Sequence, residues 1–308
     1  MVSTPFSHQA LLYDGPHDFV QQTAGLIREG VAAGETTMVI IPGSKIDSLR
    51  TALGASNVTY ADMCQVGVNP ARLIPAWQDF VTAHALPGGA IWGIGEPIWA
   101  GRSEDELVEC QRHEQLVNVA FAEATGFTLV CPYDVSSLPA AVVTEARCSH
   151  PTVRQGGRTG ASDVYRGTSD PVAHHERPLP AAPRDAITIV LSAQRLHDAR
   201  TSVGHVAAAS GMSEERTQDL LLAVTEVGVN SLTHGRGAPV LSVWTRGDVV
   251  LCQVTDAGQF VVPVPMGRQH PPVDAEGGRG LWLAHQLCDL VQVRVMPSGT
   301  LVRLQQRA

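Results

Sequence analysis

T-E-V-G-V-N-S-L-T-H-G, residues 225–235, is the stretch on which the fold of this 308-residue chain turns. D-A-G at 256–258 and G-G-R-G-L at 277–281 follow it in order. Glu226, Asn230 and His234 recur at i, i+4 and i+8 and share one helix face, while Leu221, Val224 and Leu232 point elsewhere, toward a core. A carboxylate and a carboxamide one turn apart supply oxygen ligands suited to Mg2+, or one base and one ligand. On spacing alone, a merely polar helix face explains the same pattern better. Gly277, Gly278 and Gly280 open an apolar helix (Leu281, Trp282, Ala284, Leu287), whose first N–H groups and positive dipole end suit a phosphate. Asp256 ends a strand, where its carboxylate can accept a hydrogen bond from an exocyclic amine, and Gly258 lets the backbone approach closely.

Around that stretch, 187–191 reads as a strand and 195–210 as a helix broken by Gly211. Ser213 is placed to cap a second helix that runs to His234 and stops at Gly235. Strands at 240–244 and 249–255 flank a turn at 246–248. Residues 259–276, with Pro263, Pro265, Pro271 and Pro272, are too broken for a regular element and read as a mobile lid.

The first half alternates apolar β-branched runs with helical periodicity. Strands are expected at 11–13, 37–41, 90–94 and 127–131, and helices at 16–33, 45–53, 70–85, 104–125 and 137–148. Such alternation implies βαβ units and a parallel sheet, with ligands beyond the carboxyl ends of the strands. Those ends carry Tyr13-Asp14, Pro42-Gly43, Gly95-Glu96 and C-P-Y-D at 131–134. Pro42-Gly43-Ser44-Lys45 lacks the spacing of a phosphate-binding P-loop. Cys110 with His113, and Cys131, Cys148 and His150, suggest a regulatory metal or redox site, against the plainer reading of buried thiols and a hydrogen-bonded histidine. Residues 153–185, rich in Gly, Pro, Arg and Ser and holding His174-His175, read as a linker between a domain at 1–152 and another at 186–308.

The bulk numbers fit two globular domains. A net charge of −8 gives no electrostatic reason for a nucleic-acid or anionic-membrane partner. No run reaches the ~18 apolar residues of a membrane span, and no leader pattern opens the chain, so a cytoplasmic protein is expected. Six cysteines without a C-x-x-C pair imply reduced thiols.

Two resemblances sharpen this. H-Q-A-L-L-Y-D-G (8–15), G-E-P-I-W (95–99), R-H-E-Q-L-V-N (112–118), C-P-Y-D (131–134) and H-P (150–151) resemble the MEDS domain, which implies a RecA-like parallel α/β sheet that senses a small-molecule signal. The sensor-ligand candidates carried over are Glu96, His113, Glu114, Tyr133 and Asp134. E-V-G-V-N…H-G, D-A-G, G-R-G-L-W-L…L-C-D and S-G-T at 298–300 resemble the GHKL (Bergerat) ATP-binding fold, an α+β sandwich, and most closely the anti-sigma-factor Ser/Thr kinases of the RsbW/SpoIIAB type. The resemblance implies that Glu226 activates the attacking group, Asn230 holds Mg2+ and Asp256 reads adenine. It also places Gly258, Gly278, Arg279 and Gly280 around ATP and Thr300 near the base. The implied partners are a sigma factor, a STAS-domain anti-anti-sigma protein and, optionally, a second copy of the chain. One departure stands out: the family's D-x-G-x-G is D-A-G-Q-F here, with Phe260 at the second glycine, so a non-catalytic partner-sequestering module is the alternative. A histidine kinase is a third reading, since Leu196-His197-Asp198-Ala199-Arg200 echoes H-D-x-R, but too few residues precede Asn230 for a dimerising hairpin.

Overall fold

The computed structural model describes residues 4–84, 89–169, 176–258, 267–271 and 278–308. The chain divides into two compact units, up to Ala173 and from His174.

The first unit runs β1 (Ser7–Tyr13), α1 (Gly15–Ala32), β2 (Thr36–Ile41), α2 (Gly43–Leu53), β3 (Val58–Asp62), α3 (Met63–Val66), α4 (Leu73–His84), β4 (Ile91–Gly95), α5 (Glu104–Ala120), β5 (Phe127–Asp134), α6 (Ala140–Ser149), β6 (Thr152–Gln155) and β7 (Arg158–Ala161). The strands form one sheet in the order β3-β2-β4-β5-β1-β6-β7, parallel except for the antiparallel pair β6–β7. Helices cover both faces. Ala10, Leu12, Leu129, Cys131 and Tyr133 pack with residues of α4, α5 and α6, while Tyr13, Val39, Ile41 and Ile94 pack with α1 and α2. This double burial is why the strands read as nearly continuous apolar runs.

Three boundaries differ from the sequence reading. α5 opens with a Ser103–Glu106 capping box as its acidic start suggests, but ends at Ala120, because Phe121 turns inward onto Phe6 and Phe127. α6 begins only at Ala140, because 135–138 fold back on Asp134. The expected linker also starts too early: 152–161 form the β6–β7 hairpin on the sheet edge, with the Gly156-Gly157 turn at positive φ that favours glycine. His174 and His175 lie outside the described residues.

The second unit runs β8 (Ile187–Val190), α7 (Leu196–Ala209), α8 (Glu214–His234), β9 (Val240–Arg246), β10 (Val249–Asp256), α9 (Arg279–Leu287), β11 (Leu290–Met296) and β12 (Gly299–Arg307). Its antiparallel sheet has the order β11-β12-β10-β9-β8. Val250, Cys252 and Val254 of β10, with Val302 and Leu304 of β12, pack against Val203 of α7, Leu220, Val224 and Val227 of α8, and Ala284 of α9. The core thus lies between the three helices and one face of the sheet, the two-layer α+β arrangement expected from the sequence. Across the other face, Arg303 bonds Gln253 and the Pro180 carbonyl, Gln305 bonds Gln292, and Arg294 bonds the Arg177 carbonyl. Among the described residues, no helix is long and apolar enough to cross a membrane.

Candidate functional site

α8 is held by its Ser213 cap, whose hydroxyl accepts from the Arg216 N–H, and by Arg200 of α7, which donates to the Leu221 carbonyl and the Thr225 hydroxyl. Leu221 and Val224 are buried, and Glu226 and Asn230 are half-buried on a different face, as the spacing requires. That face meets the start of α9. A Cβ built on Gly280 would lie 2.8 Å from Glu226 Oε2 and 2.9 Å from Asn230 Nδ2. Only glycine lets the first turn of α9 approach the two polar groups this closely. Gly278, at φ 76°, supplies the left-handed N-cap, and no side-chain cap bond is made there among the described residues, so the helix starts on glycine. Arg279 is exposed beside it.

Asp256 and Thr300 are direct register partners on β10 and β12, both on the helix-covered face. The Asp256 carboxylate is buried and accepts from the Gly258 N–H at 2.7 Å, and the Thr300 hydroxyl donates to the Gly258 carbonyl at 2.8 Å. Two further glycines clear space for that carboxylate. A Cβ on Gly235, just past α8, would sit 2.7 Å from Asp256 Cγ, and one on Gly258 would sit 2.8 Å from Asp256 Oδ1. Glu226 and Asn230 thus meet Gly280 where α8 faces the start of α9, while Asp256, Gly258 and Thr300 gather with Gly235, the residue that follows α8, at the end of β10. The donor and acceptor set fits a nucleotide with its magnesium: N–H groups of a glycine-led helix start for phosphate, Glu226 and Asn230 oxygens for the ion, and a buried carboxylate for an amine edge. His234 is exposed at the end of α8. Phe260, Gly277 and most of the expected lid lie outside the described residues; within 267–271, the His270 ring packs tilted against Trp282 of α9 with centroids 5.9 Å apart. His197 is exposed in the first turn of α7, which packs in this same domain rather than in a preceding helical hairpin.

The sensor candidates of the first unit fall into separate groups. Glu96, at the carboxyl end of β4, is fully buried, accepts from the Tyr13 hydroxyl at 2.7 Å and pairs with Lys45 at 2.6 Å. Burial pushes its carboxyl above the usual range, against the pull of Lys45 and Tyr13. Lys45 is thus committed to Glu96, and the Gly43 N–H at the start of α2 is taken by the Asp62 carboxylate at 2.9 Å, which is why this strand–helix turn is no phosphate loop. Asp134 accepts from the Gly15 and Ser136 N–H groups and the Ser136 hydroxyl, the work of a turn-forming carboxylate. Burial acts to raise it, but hydrogen bonds from Ser136 and Ser137 hold it below its ordinary value.

Lys45→Met is expected to leave the Glu96 charge buried without its partner and to cost about 3 kcal/mol. A carboxyl raised by folding is destabilising once the unfolded chain ionises, so the deficit should vanish below about pH 4 and grow as pH rises above it. Denaturant midpoints of variant and wild type at pH 4 and pH 7 check this.

Glu114 and Tyr133 belong elsewhere. Glu114 on α5 meets His8 of β1 at 3.1 Å and His150, just past α6, at 3.2 Å, while Cys131 of β5 lies 3.4 Å from His8. All four are buried. Burial and the neighbouring His150 lower His8 to about 4 against the opposing pull of Glu114 and Asn118. Tyr133 packs edge-on to His150. His113 is buried on α5, outside this cluster. The sequence reading grouped the cysteines differently: Cys110 donates to the Pro97 carbonyl and Cys148 is not in the cluster, while His8 and Glu114 are. The sequence signal for this grouping is the placement of His8 and His150 in the first and last of the resembling motifs.

Residues 7–151 match the model of the MEDS family, described as MEthanogen/methylotroph, DcmR Sensory domain, and residues 189–306 match that of the histidine kinase-like ATPase domain. No curated protein matches the chain. Among solved structures, the RsbU and RsbW domains of Rv1364c from Mycobacterium tuberculosis align at 20% identity over 41% of this chain and 33% of that one, with a TM-score of 0.31. The chain therefore joins a MEDS sensory domain to a histidine kinase-like ATPase domain.

Proposed function

We propose that the second domain binds ATP with Mg2+ and, as an anti-sigma factor, sequesters a sigma factor and phosphorylates a serine of a STAS-domain antagonist, under the control of a small-molecule signal at the MEDS domain. The observation that carries the reading is the close approach of Glu226 and Asn230 to Gly280 at the glycine-led start of α9. It supports a site where one carboxylate, one amide and a set of backbone N–H groups converge, which is the inventory that phosphoryl transfer requires, since positioning and charge neutralisation do most of the work. In this reading ATP supplies the phosphoryl group. Asn230 holds the ion, Gly278 and Gly280 admit the phosphates to the helix start, and Arg279 flanks them. Asp256, with Gly258 and Thr300, receives the base. Glu226 accepts the proton of the attacking hydroxyl.

The ordered motifs that resemble the RsbW/SpoIIAB kinases support protein serine as the acceptor. Phe260 in D-A-G-Q-F favours a second reading, a domain that holds its partner without turnover. Incubating the full chain with labelled ATP and a STAS-domain protein from the same genome separates them. Serine phosphorylation that disappears in Asp256→Asn is expected; stable partner binding with no label transferred would favour the second reading and end the first.

A further inference from the structure

The buried group His8, Glu114, Cys131 and His150 has a proton problem. Asn118 donates its Nδ2 hydrogens to the Glu114 and Ser149 carbonyls, so its Oδ1 must be the atom that faces His8 Nδ1 at 3.0 Å, and that nitrogen must carry a hydrogen. His150 Nδ1 lies 2.7 Å from the Ala146 carbonyl and carries one too. Both rings therefore turn a lone-pair Nε2 toward Glu114 Oε2, at 3.1 and 3.2 Å.

A proton on Glu114 or on one ring satisfies one of these contacts, and the other lone pair falls to the Cys131 thiol, a weak donor 3.4 Å from His8 Nε2. Charging both rings satisfies both, but sets two imidazolium centroids 4.0 Å apart with no exposure to water. One divalent cation resolves the arrangement, because each of the four residues offers it a lone pair.

We propose that His8 Nε2, Glu114, Cys131 Sγ and His150 Nε2 form a closed tetrahedral site for a borderline transition-metal ion of the zinc class. The four ligand atoms lie within 4.8 Å of one another. The close contacts of 3.1, 3.2 and 3.4 Å approach the ~3.3–3.6 Å edges of a tetrahedron built on zinc–nitrogen, zinc–oxygen and zinc–sulfur bonds. Two neutral imidazoles, a carboxylate and a thiolate balance a divalent charge, as a fully buried site requires. Asn118 and the Ala146 carbonyl fix the two tautomers from behind, as second partners of metal-bound histidines do. The ion would tie β1, β5, α5 and the end of α6 together on one face of the sheet. The proposal does not depend on the ATP reading.

The test uses the full chain, stripped with a chelator and titrated with Zn2+ and Co2+. One tight equivalent is expected, with the Co2+ form showing intense tetrahedral visible bands and a thiolate-to-metal band in the near ultraviolet. Cys131→Ser should lose the near-ultraviolet band, and Asn118→Ala, which removes no ligand, should weaken Zn2+ binding about 10–100-fold. Failure of the wild-type chain to bind either ion overturns the proposal without reference to any variant. A Co2+ spectrum unchanged in folded Cys131→Ser, checked by circular dichroism, overturns it as well.

Discussion

Gly280→Ala is expected to weaken ATP binding by about 100-fold or more, equivalent to roughly 3 kcal/mol, while the domain stays folded. The added methyl would sit 2.8 Å from Glu226 Oε2 and 2.9 Å from Asn230 Nδ2, closer than carbon and these atoms approach. Either the two side chains swing out of the site or the first turn of α9 moves away from them, and each outcome separates the N–H groups from the oxygens that would hold the ion. Calorimetric titration with ATP and Mg2+ reads the loss, and circular dichroism controls for folding. Unchanged affinity would mean that phosphate is not held at this helix start.

Glu226→Gln should separate binding from chemistry. The amide keeps the size of the side chain and its place against Gly280 but cannot take a proton. In the proposed kinase reading, phosphate transfer to a STAS-domain serine is therefore expected to slow by about 10²–10⁴-fold with ATP affinity little changed, the loss that follows removal of a general base. Single-turnover transfer from labelled ATP measures it. A variant that transfers phosphate at the wild-type rate would leave Glu226 as a positioning or metal-holding group only.

Much of the molecule could be read from local pattern, and the parts that could not share a cause. The parallel strands of the first domain are buried on both faces, so 37–41 and 127–131 appear as apolar runs that need no context. α8 was legible from its cap, its core stripe and the i, i+4 pair, because all three are local. β11 and β12 carry no such local signal. One face of each carries Gln292 and Arg294, or Arg303 and Gln305, all buried, and their burial depends on cross-strand pairs and on the Arg177 and Pro180 carbonyls far back in the chain. β3 and the β6–β7 hairpin were missed for a related reason: they are partly or wholly exposed edge elements with little apolar signal.

At the sites the same division holds. Glycine spacing exposed the junction around Gly280, whereas nothing local links Gly235 to Asp256 or shows that both make room for one carboxylate. The His8–Glu114–Cys131–His150 group comes from four separate elements, so no spacing rule reveals it, and the cysteine–histidine pairs nearest in sequence are not the ones it gathers. Glu96, Glu114 and Asp134 look alike as strand- or helix-borne acids. Only their partners distinguish a lysine-paired carboxylate, one held between two histidines and a turn former.

The central claim is that the α8–α9 junction and the β10–β12 end make one nucleotide site. Titrating the full chain with ATP and Mg2+, beside Asp256→Asn, tests it most directly. The account predicts one molecule of ATP bound per chain, with affinity dependent on Mg2+ and lost in the variant; no binding by the wild-type chain, or equal binding by Asp256→Asn, would contradict it.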